Sequence, residues 1–496
     1  MIIPLVGAAL IALCDRWPDL RETVTIVTAG LLFGTVVMIL PSVLAGGRPE
    51  LALLEMLPGL QLKFTVEPLG MMFALVASGL WIATSIYSFG YMRGNDEHNQ
   101  TRFYVFFAIA LSSTMGVAFS GNLLTLFVCY EVLTLSTYPL VTHHGNEDSM
   151  KAGRTYLGIL ISSSIGLFLL AILWTWNVTG TMDFKPGGIL GDRFNGLMTG
   201  VLLALYMFGI GKAALMPIHR WLPAAMVAPT PVSALLHAVA VVKTGVFCVV
   251  KIIVYVFGID KLRMTPEGDW LLYVAGFTIL TASIIALRQD NLKRRLAYST
   301  VSQLSYIILG AALANSLGII GGGMHIAMHA FGKITLFFCA GAILVASHKT
   351  EISEMDGLGK VMPITFIFFL IGSLSVIGLP PLGGSWSKWY LMLAAAEAGQ
   401  VKFMFVFMLS SLLNIAYLMP LVARGFFSQA KEDFHHHEGG HHGKVNFWNG
   451  VRFGNIREAP PFCLLAMTIT SVGCILLFFY ADKIYRLLAP VAGIQG

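Results

Sequence analysis

Apolar runs separated by short polar loops recur along the whole chain, and a run of about twenty apolar residues has the length of a membrane-crossing helix. The pattern predicts fourteen such helices, at about 2–14, 23–45, 66–90, 103–119, 123–141, 155–178, 197–228, 231–257, 270–287, 297–315, 318–347, 362–396, 403–426 and 462–480. The expected fold class is therefore an all-α polytopic membrane protein, in which each helix satisfies its own backbone inside lipid. The first stretch is short, but it has neither the basic start nor the small-residue cleavage site of a signal peptide, so it reads as a helix. The seventh and twelfth are long and interrupted, one by Pro217 and Pro223 and the other by Pro380-Pro381-Leu382-Gly383-Gly384. Proline removes a backbone donor, so breaks are expected near 217–223 and 380–384, with protein or water receiving the freed carbonyls.

Helices four to eight and nine to thirteen form two five-helix sets, each with its interrupted helix fourth. Paired interruptions in corresponding positions point to inverted repeats around a midplane site. The repeat is imperfect, because Lys212 precedes one break and Lys388 follows the other. The expected organisation is N-terminal helices over 1–102, a first five-helix repeat over 103–257, a second, inverted one over 270–426, a His-rich loop over 427–461 and a C-terminal helix over 462–496. Loop charges orient this arrangement, since Lys and Arg are enriched in cytoplasmic loops. Placing Arg288, Lys293, Arg294 and Arg295 inside gives 18 basic residues inside and 10 outside, with Lys251 in the outer set. Both termini are then outside, in a multi-pass protein of the cell's inner (plasma) membrane.

Composition agrees with a membrane protein: 56% of the 496 residues are hydrophobic and only 12% are charged. The net charge of +6 belongs to the orienting loops and says nothing about nucleic acid. The six cysteines lie singly in apolar stretches with no CxxC pair, which supports neither a disulfide framework nor an iron–sulfur site. No Walker loop, GxGxxG after a strand, haem-attachment motif or nucleophile elbow is present, so no redox or hydrolytic chemistry and no prosthetic group is expected of this chain alone.

Against that background the charges inside apolar stretches stand out: Glu131, Lys212, Lys243, Lys333 and Lys388. A charge at the bilayer centre costs roughly 3 kcal/mol on the insertion scale, so such residues point to an ion or proton pathway. Burial disfavours an ammonium, and a nearby carboxylate restores it. At an effective dielectric near 20 a Lys–Glu pair is worth roughly 4 kcal/mol at 4 Å and under 2 kcal/mol at 10 Å, so small movements can load or unload a proton. The expected roles are Glu131 as modulator of Lys212, with Lys243, Lys333 and Lys388 as successive carriers. The bland alternative, snorkelling lysines or fixed ion pairs, fits one lysine better than four with a glutamate. His325, His329 and Lys333 fall at i, i+4 and i+8 on one stripe of a helix. That spacing suits a proton relay and also zinc. The lysine one turn on, with no Cys or acidic ligand nearby, favours the relay, so no metal is expected. His237 is either a relay or a structural histidine. KEDFHHHEGGHHGK over 431–444 is metal-binding by composition, yet reads as a solvated cytoplasmic loop.

GKAALMPIHRWLPAAMVAPTPVSALLHAVAVVKTG, NLKRRLAYSTVSQLSY, HIAMHAFGKITLFFCAG and LSVIGLPPLGGSWSKW together resemble the antiporter-like family shared by Mrp-type cation/proton antiporters, complex I and membrane-bound hydrogenases. The resemblance covers nearly the whole chain, most firmly 65–425. It implies a fourteen-helix fold with two inverted five-helix repeats and a hydrophilic axis parallel to the membrane. It also implies that Glu131 is the family's fifth-helix glutamate, Lys212 the lysine of the broken seventh helix and Lys243 that of the eighth. By the same carry-over His237 is the histidine of SALLHA, His325, His329 and Lys333 are the eleventh-helix HxxxHxxxK set, and Lys388 is the twelfth-helix lysine. Ala224 stands where many members carry an acid, and no long lateral helix follows the last span.

The leading expectation is a proton or cation/proton translocating subunit of a multi-subunit membrane complex, driven by redox chemistry or an ion gradient in partner subunits. The protein would then be inactive alone. Docking surfaces are expected on the first helices and near Lys388. The competing classes are a bicarbonate-accumulating transporter with one soluble zinc-type partner, and a membrane scaffold with vestigial charges. The complete Glu131–Lys388 set disfavours the scaffold, copurified partners separate the other two, and the choice between Na⁺ and H⁺ stays open.

Overall fold

The computed structural model describes residues 1–57, 60–429, 448, 450–453 and 456–494. The His-rich stretch 431–444 lies outside the described residues. Helices occupy the apolar stretches in order: Ile2–Leu13, Pro18–Leu44, Pro68–Gly94, Gln100–Ala118, Leu123–Val141 and Glu147–Thr179, then Gly196–Gly209 with short helical pieces as far as Val227. Thr230–Phe257, Trp270–Arg288, Leu292–Ala312 and Ser316–Ser347 follow, then the pair Pro363–Ile377 and Gly384–Glu397, and finally Val401–Phe427 and Pro461–Phe479. Among the described residues, 10 helices are long and apolar enough to cross a membrane. Leu292–Ala312 is long enough but is not one of them, because it carries Ser299, Ser302, Gln303 and Ser305 toward the interior.

Among the described residues, five helices are capped by an asparagine side chain. Asn122, Asn146, Asn195, Asn291 and Asn315 each accept the backbone N–H three residues on, which satisfies one of the orphan donors of a helix start. At the centre lies Thr230–Phe257, whose most apolar window is 100% buried, whereas the corresponding window of Pro18–Leu44 is only 28% buried. Two of its turns, Leu235–Val239 and Ile253–Phe257, are π-helical, as is Ser164–Leu169.

The all-α expectation holds, and two short hairpins accompany the helices. Glu50–Leu57 pairs antiparallel with Leu60–Thr65, and Val451–Phe453 with Ile456–Glu458. In the first hairpin Leu60, Leu62 and Phe64 alternate with Gln61, Lys63 and Thr65, a strand period too short to register as a span. This hairpin ties into its neighbours, with Thr65 N–H donating to the Phe119 carbonyl at 2.7 Å and Gly121 N–H to that of Lys63 at 2.8 Å. At the other ends of the same helices, Arg93 pairs with Asp19 at 2.6 Å and with Glu22 at 2.8 Å.

The second hairpin places Glu458 at the start of Pro363–Ile377. Its carboxylate accepts from Ile364 N–H at 2.7 Å and from the Thr365 hydroxyl at 2.6 Å, where helix donors lack partners and the helix dipole favours negative charge. Glu458→Ala is expected to destabilise the protein by about 2 kcal/mol, read as a lower midpoint of thermal unfolding in detergent.

Candidate functional site

Both helix breaks are present, and both begin earlier than the prolines predict. Gly196–Gly209 ends at Ile210, and a single 3₁₀ turn, Gly211–Ala213, carries Lys212 ahead of Pro217. The helix stops there because its next donors find other partners: Lys212 N–H donates to the Tyr130 hydroxyl at 3.1 Å. The freed Gly211 carbonyl accepts from the Trp221 indole at 3.0 Å. Pro363–Ile377 ends at Gly378, two residues before Pro380, because a residue preceding proline disfavours helical backbone. Gly378 has φ +91°, and a Cβ there would lie 2.7 Å from Lys388 Cδ, so glycine is required twice over.

Lys212 is fully buried and turns toward the helix that carries Glu131. Its ammonium donates to the Tyr130 carbonyl at 2.9 Å and the Thr134 hydroxyl at 2.5 Å, and lies 3.2 Å from the centre of the Tyr130 ring. Glu131 falls between these contacts in sequence. Its two oxygens are buried without a hydrogen-bond partner, and it lies within electrostatic range of Lys212.

The other half of the site is a line of side chains. Lys243 Nζ meets His329 Nδ1 at 2.5 Å, and the His329 and His325 rings stack 5.5 Å apart. His325 continues the stack onto Tyr306 at 5.6 Å, while its nitrogens bond Ser387 at 2.9 Å and Gln303 at 3.1 Å. Lys388 follows: its ammonium lies 4.9 Å from the Tyr306 ring centre and donates to the Ile377 carbonyl at 3.0 Å and Ser411 at 3.1 Å. Beyond it opens an apolar cavity of about 820 Å³, lined in part by Trp386, Trp389 and Leu412.

Lys333 lies to one side of this line. It donates to Ser299 at 2.6 Å and to the Leu296 carbonyl at 3.3 Å, and Ser299 bonds the Tyr417 hydroxyl at 2.7 Å, which in turn bonds Asn414. His237 sits in a π-helical turn with its ring 4.6 Å from that of Phe337 and both nitrogens without a hydrogen-bond partner. Among the described residues no group of three or more His, Cys, Asp or Glu side chains is arranged to hold a metal.

Sequence reasoning missed the connecting groups. Ser299, Gln303 and Tyr306 fall at i, i+4 and i+7 on one buried face of Leu292–Ala312, and that polar stripe was the available signal. It also misplaced Lys251. Counted as an outer-loop residue, it is fully buried near the end of Thr230–Phe257, in an ion pair with Glu67 at 2.6 Å.

Residues 120–414 match the family described as NADH:quinone oxidoreductase/Mrp antiporter, TM. The chain belongs to this family. A member from Desulforudis audaxviator, NADH-quinone oxidoreductase subunit N, is 30% identical over 426 residues, covering 85% of this chain and 83% of the relative. NAD(P)H-quinone oxidoreductase chain 5 of Synechocystis sp. is 33% identical over 351 residues, which is 66% of this chain but 49% of the relative, so the chain spans about half the length of that family member. Among solved structures, the Mrp complex from Dietzia sp. DQ12-45-1b holds a chain of TM-score 0.83 and 22% identity, with 99% of this chain and 95% of that one aligned. The membrane-bound sulfane sulfur reductase, an archaeal respiratory membrane complex, holds another of TM-score 0.84 and 23% identity, with 99% and 96% aligned. These two establish a shared fold.

The site depends on close approach of the Lys212 turn to the central helix at Gly245, where a Cβ would run into the backbone of Lys212 and Ala213. Overpacking of this kind costs about 1–3 kcal/mol. Gly245→Ala should lower the thermal midpoint of the purified protein, while Gly158→Ala, which meets nothing within 4 Å, should leave it unchanged.

Proposed function

We propose that this chain is the proton or cation/proton translocating subunit of a multi-subunit membrane complex, moving protons along its buried Glu, Lys and His side chains. Redox chemistry or an ion gradient in partner membrane subunits supplies the energy. The observation that carries this reading is the fully buried line from Lys243 through His329 and His325 to the surroundings of Lys388. Titratable groups in unbroken contact inside an apolar bundle are what a proton path needs and what a passive scaffold has no use for. The relatives are named as subunits of quinone oxidoreductases, and the solved neighbours sit in multi-subunit complexes.

In this reading Glu131 modulates Lys212 across a gap the side chains can close or widen. Lys243, His329, His325 and Lys388 carry the proton, and Lys333 with Ser299 and Tyr417 forms a side branch that tunes it through charge. His237, beside Lys243 and Lys333 in electrostatic range, joins the relay. The fold is read as fourteen crossings with two inverted five-helix repeats over 103–257 and 270–426, supported by the two breaks at Ile210 and Gly378. The N-terminal helices span 1–102, the His-rich loop 427–461 and the C-terminal helix 462–496. Both termini face outward from an inner membrane, supported by the charge bias and by contacts within each set of loops, such as Leu292 N–H to the Thr350 carbonyl at 3.0 Å. Exposed apolar side chains on the first helices, including Ile2 and Met38, and Trp389 beside the cavity at Lys388 are the surfaces for partner subunits.

Lys212→Ala and Glu131→Ala should each abolish coupled transport in vesicles while the complex still assembles, and Lys212→Arg should fail as well, because arginine holds its proton throughout the working pH range. Wild-type pumping at wild-type protein level in any of the three overturns the roles. For orientation, a thiol at Arg288→Cys should react with an impermeant reagent only from the cytoplasmic side, and one at Lys185→Cys only from the opposite side.

A further inference from the structure

Lys251 and Glu67 form a buried ion pair that the axis described above does not use. Glu67 occupies the capping position of Pro68–Gly94, where the helix dipole favours a carboxylate. Lys251 donates a second bond to the Ser120 carbonyl at 2.7 Å, and its ammonium lies 4.7 Å from the ring centre of Phe184. The side chains are 1% and 10% exposed for Lys251 and Glu67. What separates this pair from an ordinary structural bridge is its position between two compartments. On one side Glu67 lines a polar cavity of about 540 Å³ beneath the first hairpin, together with Tyr255, Arg48, Glu50, Asp260 and Arg263. On the other, Lys251 lies two helical turns from Lys243 on one helix, about 12 Å along its axis. The Cys248 thiol between them is within electrostatic range of both Lys251 and Lys212.

We propose that Glu67 and Lys251 form the proton portal through which the axis, at Lys243, exchanges with water on the hairpin face. The proposal rests on the axis reading and adds its terminus. The Lys251 ammonium passes a proton to the Glu67 carboxylate, leaving a neutral amine and a neutral acid. The acid releases that proton to cavity water, and the amine takes another from the axis, so charge and protons balance over the cycle. Arg48, Arg263, Glu50 and Asp260 share the cavity wall with Glu67. Tyr255, beside Glu67, is the neutral hydroxyl of the group.

The test uses the intact complex in sealed vesicles. The double variant Glu67→Gln/Lys251→Met leaves no lone buried charge, so it keeps the fold while removing the portal. Coupled transport is expected to fall at least tenfold at normal protein level, and Glu67→Asp, which keeps a carboxylate beside Lys251, is expected to retain a measurable part of wild-type transport. Transport within twofold of wild type in the double variant overturns the portal. Independently, Thr65→Cys, in the wall of the same cavity and in a Cys14→Ser background, is treated with a cationic, membrane-impermeant thiol reagent from the hairpin face. Modification confirmed by mass and accompanied by block supports the portal, whereas no modification, or modification without block, overturns it. Lys212→Ala in the same vesicles separates the two ideas: if it is inactive while the double variant is normal, the axis stands without this portal, and if it is active, the axis reading itself falls.

Discussion

An ammonium group withdrawn from water must find acceptors for its protons, and in this bundle backbone carbonyls supply many of them. Lys212 donates to the Tyr130 carbonyl, Lys251 to Ser120, Lys333 to Leu296 and Lys388 to Ile377. Two of these acceptors lie where a helix has just ended. Ile377 closes Pro363–Ile377, and Ser120 follows Gln100–Ala118. At Lys388 the broken helix and the buried lysine therefore stabilise one another, since each supplies what the other lacks. Lys243 differs from these four. Among the described residues its ammonium is bonded to a side chain alone, His329, a partner that can itself exchange a proton.

The two halves of the site are built on different chemistry. Around Lys212 the surroundings are an aromatic face, a hydroxyl and a buried carboxylate without a hydrogen-bond partner, which is an electrostatic arrangement sensitive to small shifts. From Lys243 onward the rings of His329, His325 and Tyr306 stack in a nearly parallel column, with interplanar angles of 16° and 15°. A stacked column resists displacement, so the second half is the rigid part and the first the adjustable one.

Much of this was legible in the sequence, because charge inside a long apolar run is costly and conspicuous. Glu131, Lys212, Lys243, Lys333 and Lys388 announce themselves this way, and the HxxxHxxxK stripe places two histidines beside them. The helix breaks were legible in kind but not in position, since proline marks where a helix cannot continue while Tyr130 and Trp221 decide where it stops. Of the connecting groups, Ser299 and Gln303 left a signal as a polar stripe on one helix face, whereas Ser387 and Tyr417 are neutral residues whose role comes from which helices face each other. Lys251 was hidden for another reason. A lysine near a helix end reads as a loop charge, and its true partner, Glu67, lies 184 positions earlier in the chain. The first hairpin escaped because only span-length periodicities were informative there.

The central helix, Thr230–Phe257, has protein on every side of its apolar window and two π-helical turns, one on each side of Lys243. A π-helical turn shifts the side-chain phase of everything beyond it, so the stretch bearing Lys243 and Lys251 keeps its own angular register against the neighbouring helices. A rod clamped on all faces cannot tilt or slide in response to the bilayer, and so it senses neither membrane thickness nor lateral pressure directly. Its lysines have their side-chain torsions to move with, and the packed backbone is a fixed reference for the helices around it.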